Sequence, residues 1–248
     1  MLAVQGIKTS EIFSFNDTHA YETVIVMPSI RMTLAQRAAD VMAGRTEACG
    51  LLVLAEDDCR IGFVATANFV YSKTTSRFFC YTAQDAFAGY YWLEMALESM
   101  QKGNAGLLAF NDGRFFGSLA AFGLAARQWI DSLYGGNALF YPHYKKTYCD
   151  TELTDIARMT GKLAYNPHSM LVEIDYAKHR GRSSASAANK IRYAAPDATD
   201  ADGVLYVTRA LGGFDGKVAP FVPEIGPVAQ VLKARQLAGR PIPGRALF

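Results

Sequence analysis

The sequence has no run of about eighteen apolar residues, so no membrane-spanning helix is expected. Its opening, MLAVQGIKTSEIFSF, lacks a basic stretch followed by a long apolar one and does not read as a signal peptide. Cysteine is scarce. Cys49, Cys59, Cys80 and Cys149 form no C-x-x-C pair, and no histidine stands at zinc-finger spacing to them. Free thiols in a reducing compartment are therefore expected, and with them a cytoplasmic protein, in the host cytoplasm if it is viral. An excess of either charge is also missing: 25 basic residues face 23 acidic ones, a net charge of +2. Bulk attraction to nucleic acid or to a membrane surface is not expected from that balance. No internal repeat stands out.

What is present is apolar bulk. Half of the 248 residues are hydrophobic, enough to bury one large core. The segment TVIVM, Thr23 to Met27, is β-branched and ends at Pro28, so it reads as a buried strand. Thr33 and Gln36 make a capping-box pattern; Leu34, Ala38, Val41 and Met42 follow at helical spacing, and Gly44 suits a C-cap. GLLVLA, Gly50 to Ala55, is a second buried strand running into Glu56-Asp57-Asp58. Strand, helix and strand in this order predict a parallel sheet with a right-handed crossover.

Further along, Arg60 to Tyr71 reads as a strand region and Gln84 to Gln101 as a long, well-buried helix stopped by Lys102-Gly103-Asn104. AGLLAF, Ala105 to Phe110, is a strand that ends at Asn111-Asp112-Gly113. Phe115 to Ile130 is mixed. Thr151 to Thr160 forms a short helix closed by Gly161, and strands follow at Lys162 to Tyr165 and Met170 to Tyr176, broken at Pro167. From Ser183 to Gly203 the composition turns to Ser, Ala and Asp, as expected of a loop. Residues 1–182 are thus expected to form the main domain. Residues 183–248, with their proline-rich tail, are expected to pack on it as an extension.

Ligands of open α/β sheets bind beyond the carboxyl ends of strands. The clusters Pro28-Ser29-Ile30-Arg31, Glu56-Asp57-Asp58 and Asn111-Asp112-Gly113 each follow a strand, and Cys149-Asp150-Thr151-Glu152-Leu153 opens a helix. In this order they resemble GT-A-type glycosyltransferases, especially the large inverting family 2, over roughly residues 23 to 180. The resemblance implies an α/β fold with a mostly parallel central sheet flanked by helices and a Rossmann-like nucleotide-binding half. It implies an enzyme moving a sugar from a nucleoside-diphosphate sugar to a hydroxyl acceptor, with manganese or magnesium as cofactor.

The residue roles follow from the same resemblance. Pro28, Ser29, Arg31 and Asp57 would surround the nucleotide. Asp112 would stand at the metal-binding D-x-D position, where the second acid is missing, and His179 would be a further metal ligand. Asp150 would be the general base, with Glu152 able to exchange roles with it. Each cluster also has a plain alternative: a polar turn at Ser29, a solvated strand end at Asp57, an ordinary Asp-Gly turn at Asp112, and a helix N-cap at Asp150.

Three other classes compete. A sugar nucleotidylyltransferase would carry a glycine-rich loop where this chain has MPSIRM. A non-catalytic nucleotide-binding protein fits the incomplete D-x-D. A nucleic-acid-binding module fits the basic stretch Lys178, His179, Arg180, Arg182, Lys190 and Arg192. Joined to a transferase, that stretch admits modified DNA, as well as a saccharide, as the acceptor.

Overall fold

A computed structural model describes residues 1–11, 14–17, 19–173 and 201–223. Eight strands form one sheet in the order β1-β3-β2-β4-β7-β6-β8-β5. They are β1 (Leu2–Lys8), β2 (Ala20–Ser29), β3 (Gly50–Glu56), β4 (Thr75–Tyr81), β5 (Ala86–Ala88), β6 (Leu107–Asn111), β7 (Gly123–Ala126) and β8 (Leu163–Glu173). Parallel pairing joins β1 to β3, β3 to β2, β2 to β4, and β6 to β8. β7 is antiparallel to both β4 and β6, and β5 to β8. β7 therefore reverses direction twice over, and β1, β2, β3, β4, β6 and β8 all point the same way.

The helices are α1 (Met32–Gly44), α2 (Phe63–Lys73), α3 (Trp92–Gly103), α4 (Arg127–Asp131), α5 (Cys149–Met159) and α6 (Ala201–Leu211). Alternation along β2 sorts them into two layers. Val24 and Val26 face the cluster built by α2, α5 and α6 side chains such as Tyr71, Leu153 and Tyr206. Ile25 and Met27 face the cluster of α1 and α3, with Met42 and Trp92. Successive side chains leave a strand on opposite faces, so an uninterrupted apolar run is what a strand covered on both sides requires.

Several expectations need correction. Arg60 to Tyr71 holds a helix: Val64, Ala67, Val70 and Tyr71 are buried at helical spacing, and α2 begins after Gly62, whose φ of 95° suits glycine. The strand in this region is β4, one element later. The helix expected from Gln84 begins only at Trp92, because Ala86–Ala88 pair with β8 and Tyr91 turns left-handed at φ 56°. α1 starts at Met32 with Arg31 at its N-cap and no side-chain cap, so the Thr33–Gln36 box does not form.

β1 was not foreseen, since it is an edge strand with little buried surface. Phe115 to Ile130 resolves into a loop, β7 and α4. The two strands separated at Pro167 are one strand, β8, with a register shift opposite Ala109 and Asn111. α6 begins inside the run expected to be a loop, and its Asp202 and Gly203 are buried.

One packing point next to the site is unusually tight. A Cβ at Gly123 would lie 2.5 Å from the Tyr81 hydroxyl, which donates to the Ala120 carbonyl at 2.7 Å. Gly123→Ala must displace that buried ring. It is expected to cost about 1–3 kcal/mol, read as a lower urea midpoint at unchanged slope.

Candidate active site

The shared direction of six strands places Ser29, Asp57, Thr82 and Asp112 on one edge of the sheet, at the carboxyl ends of β2, β3, β4 and β6 respectively. From β2 the chain goes first to β3 on one side and then across to β4 on the other. The switch in strand order thus falls between β2 and β4, where open α/β sheets leave a crevice.

The loop after β2 is held across that crevice. The Gln84 side-chain oxygen accepts from the Ser29 hydroxyl at 2.9 Å and from the backbone N–H groups of Ile30 at 3.0 Å and Arg31 at 2.9 Å. Pro28 still belongs to β2, opposite Ala55. Arg31 is exposed at the start of α1. Beside Gln84, the Thr82 backbone N–H donates to Val26, while its buried hydroxyl has no hydrogen-bond partner. Neither Gln84 nor Thr82 stood out in the sequence; both follow β4, which was not recognised as a strand.

Asp57 adjoins Ser29, its N–H donating to the Ser29 carbonyl at 2.7 Å. Its carboxylate, however, accepts from the backbone N–H of Ile61 at 2.8 Å and of Gly62 at 2.9 Å, and so closes the turn into α2. Asp57 thus has a structural role beside the ligand role expected of it: helix ends leave N–H groups that need acceptors. Asp58 is likewise engaged, by the Thr9 hydroxyl and by the Ser10 N–H and hydroxyl. Asp57→Ala should cost about 1–2 kcal/mol of stability, measured by denaturation. Unchanged stability with lost nucleotide binding would instead restore Asp57 to the ligand site.

Asp112 directly follows β6 and is buried, at 4% exposure. One carboxylate oxygen accepts from the N–H groups of Arg114 at 2.9 Å and Phe115 at 2.8 Å. The other is buried with no hydrogen-bond partner. Buried polar oxygens are rarely left so, and an unpaired one asks for a cation, a donor or water. One oxygen of a rigidly held carboxylate suits a hard divalent ion whose other ligands come from a diphosphate and water. Among the described residues no group of three or more His, Cys, Asp or Glu converges on a metal position. Asn111 is spent on the loop, donating to the Pro167 carbonyl and accepting from the Gly113 N–H. His179 and the basic stretch around it, Lys178 to Arg192, lie outside the described residues.

The loop after Asp112 also touches α5. The Ala120 N–H donates to the Thr154 hydroxyl, which donates in turn to the Asp150 carbonyl at 2.6 Å. Asp150 is half-buried in the first turn of α5. The N-cap is Tyr148, at φ 64°, so Asp150 is not the cap. Its carboxylate accepts only from the N–H and hydroxyl of Thr151 and has no cationic partner among the described residues. Loss of hydration raises its pKa to about 6; the Asp155 charge adds to the rise, while the Thr151 hydrogen bonds oppose it. A carboxyl poised near neutrality with one face open is what proton abstraction needs. Cys149 beside it is buried, and burial pushes its thiol well above the usual range, which disfavours a nucleophile there.

Glu152 cannot exchange roles with Asp150. It is fully buried, and Arg209 grips both of its oxygens, at 2.7 and 2.8 Å. The hydroxyls of Tyr134 and Tyr144 donate to it as well, at 3.0 and 2.8 Å. A carboxylate with four such bonds and no access to solvent is an internal counter-ion. A cavity of about 530 Å³ lined by Gln5, Ser14, Phe15, Asn16, Asp17 and His19 lies where the chain enters β2, at the far end of that strand from Ser29. It has no part in this constellation.

No protein-family model matches the chain, and no curated protein matches it by sequence. Solved structures do match by fold. The mannosyltransferase PcManGT from Pyrobaculum calidifontis, in complex with GDP-Man and Mn2+, superposes with a TM-score of 0.50 at 12% identity, over 92% of this chain and 83% of that one. Lower TM-scores, both 0.46, are found for TarS of S. aureus and a Drosophila beta-1,4-galactosyltransferase 7. TarS is 9% identical over 61% of this chain and 60% of that one, and the galactosyltransferase 12% over 68% and 80%. The latter was solved with manganese, UDP-Gal and xylobiose. The fold of this chain is therefore the mixed α/β, GT-A-like architecture that the sequence resemblance implied.

Proposed function

We propose that this protein is a glycosyltransferase that moves a sugar from a nucleoside-diphosphate sugar to a hydroxyl acceptor. The observation that carries the reading is two carboxylates with unmet chemistry, Asp112 at the carboxyl edge of the sheet and Asp150 in the first turn of α5. Among the described residues, one buried oxygen of Asp112 has no hydrogen-bond partner, and Asp150 has a raised pKa and no cationic partner. The GT-A-like fold supports the reading, as do the GDP-Man and Mn2+ bound in PcManGT.

The nucleotide would lie in the crevice between β2 and β4, against the Ser29–Arg31 loop and the Thr82 hydroxyl. Asp112 directly follows β6, three strand spacings from β2, a distance of about 14 Å at roughly 4.8 Å each. The ribose and diphosphate together would span that gap. A divalent cation held by the free oxygen of Asp112 would neutralise charge on the departing diphosphate.

Asp150 accepts the proton of the acceptor hydroxyl as its oxygen bonds to the anomeric carbon, while the bond from that carbon to the diphosphate oxygen breaks. With Glu152 locked away and Asp112 assigned to the cation, Asp150 is the acid left to react among the site carboxylates of the described residues, which favours direct displacement with inversion. An acceptor of saccharide type or a hydroxylated base in DNA would serve this chemistry equally.

Calorimetry with GDP-mannose and UDP-galactose, with and without manganese, tests the donor site. Asp112→Asn keeps the size of the side chain and an acceptor for the Arg114 and Phe115 N–H groups. It is expected to remove the manganese-dependent part of the affinity, and equal affinity in variant and wild type would refute the metal role.

The base is tested by pH. Asp150 works ionised, so kcat/KM should fall as pH drops through about 6, rather than near the ordinary carboxylate range. Asp150→Asn should lower transfer by roughly a hundredfold or more while donor binding holds. A variant with full transfer would mean that another group takes the proton.

A further inference from the structure

α6 presents three polar side chains at successive turns, and each reaches the acid-bearing segment. Asp202 accepts from the backbone N–H groups of Lys145 at 3.0 Å, Lys146 at 2.9 Å and Thr147 at 2.9 Å, in the loop that leads into α5. The Tyr206 hydroxyl donates to Asp155 of α5 at 2.5 Å. Arg209 forks onto Glu152, one turn before Ile156 and two residues after Asp150. Its guanidinium also lies 3.3 Å from the centroid of the Tyr141 ring and reaches Asp215 at 2.9 Å.

Helix α5 needs such a restraint. It starts from a left-handed Tyr148 with no side-chain cap, and its entry is held from α6 instead, by Asp202 on the loop N–H groups and by the Tyr206 ring stacked on Tyr148. Glu152 and Asp150 are two positions apart, about 200° around the helix axis at 3.6 residues per turn. Holding Glu152 inward therefore turns Asp150 to the other side. A fork onto a carboxylate is satisfied in one geometry, whereas an apolar pair would tolerate several. Stability alone does not call for a buried ion pair, which well-packed apolar residues commonly equal.

We propose that Arg209 is a positioning residue for the base: it acts through Glu152 to set the rotation of α5, which makes α6 part of the catalytic apparatus. This rests on the reading of Asp150 as general base. Asp202 and Tyr206 hold the same segment at two further points, so the whole face of α6 serves one end.

The test uses the full chain with Arg209→Met and Arg209→Lys. Binding of GDP and UDP with manganese is followed by calorimetry, and kcat and KM are followed with whichever donor the wild type turns over. Nucleotide affinity and donor KM are expected to stay within about twofold, and kcat to fall about a hundredfold in Arg209→Met, the scale of a roughly 1 Å misplacement. Arg209→Lys, which keeps the charge but not the fork, should fall between.

If Arg209→Met fails to fold, the double variant Arg209→Met/Glu152→Leu takes its place, with neither charge left buried, and the same split is expected. A folded variant with wild-type kcat overturns the proposal, and so does a parallel loss of kcat and nucleotide affinity, which would mark a purely structural residue. A wild type that neither binds these nucleotides nor turns over a sugar nucleotide overturns the transferase reading itself, and the positioning role with it.

Discussion

A carboxylate with no access to water has to find both its counter-charge and its hydrogen bonds inside the protein. Glu152 finds them in Arg209, Tyr134 and Tyr144, drawn from α6 and from the chain between α4 and α5. Burial, and next the Glu152 charge, push both phenols well above their ordinary pKa, so they stay protonated and keep donating. Stripping one partner from such a pair costs about 3–5 kcal/mol, against a total stability of about 5–15 kcal/mol for a typical domain. The position of α5, and with it the surroundings of Asp150, depends on this one cluster.

The other governing constraint is direction. Parallel strands need crossovers, and crossovers put helices on both faces, so six strands deliver their carboxyl ends to a single edge. Every polar residue that follows a strand is thereby brought to the same place, whether or not it is free to act there. Helix starts then compete for those residues. α2 takes Asp57 as an acceptor for its opening turn, whereas Asp112 gives one oxygen to its own turn and keeps the other. The difference between a structural acid and a candidate ligand comes down to which oxygens the local backbone has already claimed.

The described C-terminal residues, 201–223, pack against the segment that carries Asp150. A boundary at residue 182 followed the change in composition, and composition does report the Ser- and Ala-rich stretch. Composition says nothing of where α6 docks. Three of its polar side chains are buried or half-buried against the segment from Lys145 to Asp155, which ties residues beyond 200 to the residues proposed for catalysis.

TVIVM, GLLVLA and AGLLAF were legible as strands because a strand buried on both faces must be apolar throughout, and the CDTEL segment as a helix start because the helical spacing after it is regular. The order of these elements was enough for the fold class, and it names the edge on which ligands are expected. α2 was misread because FVATANFVY is as rich in β-branched and aromatic residues as a strand, and only packing against β2 and β4 decides between the two periods. Asp57 and Glu152 were both plausible acids in the sequence. The tertiary structure removed both from the list of free groups, one through an N–H cap a few residues away and the other through an arginine 57 residues further along the chain. Residue type and order are local and are written in the sequence; whether a carboxylate is spent or free depends on partners that only folding brings within 3 Å.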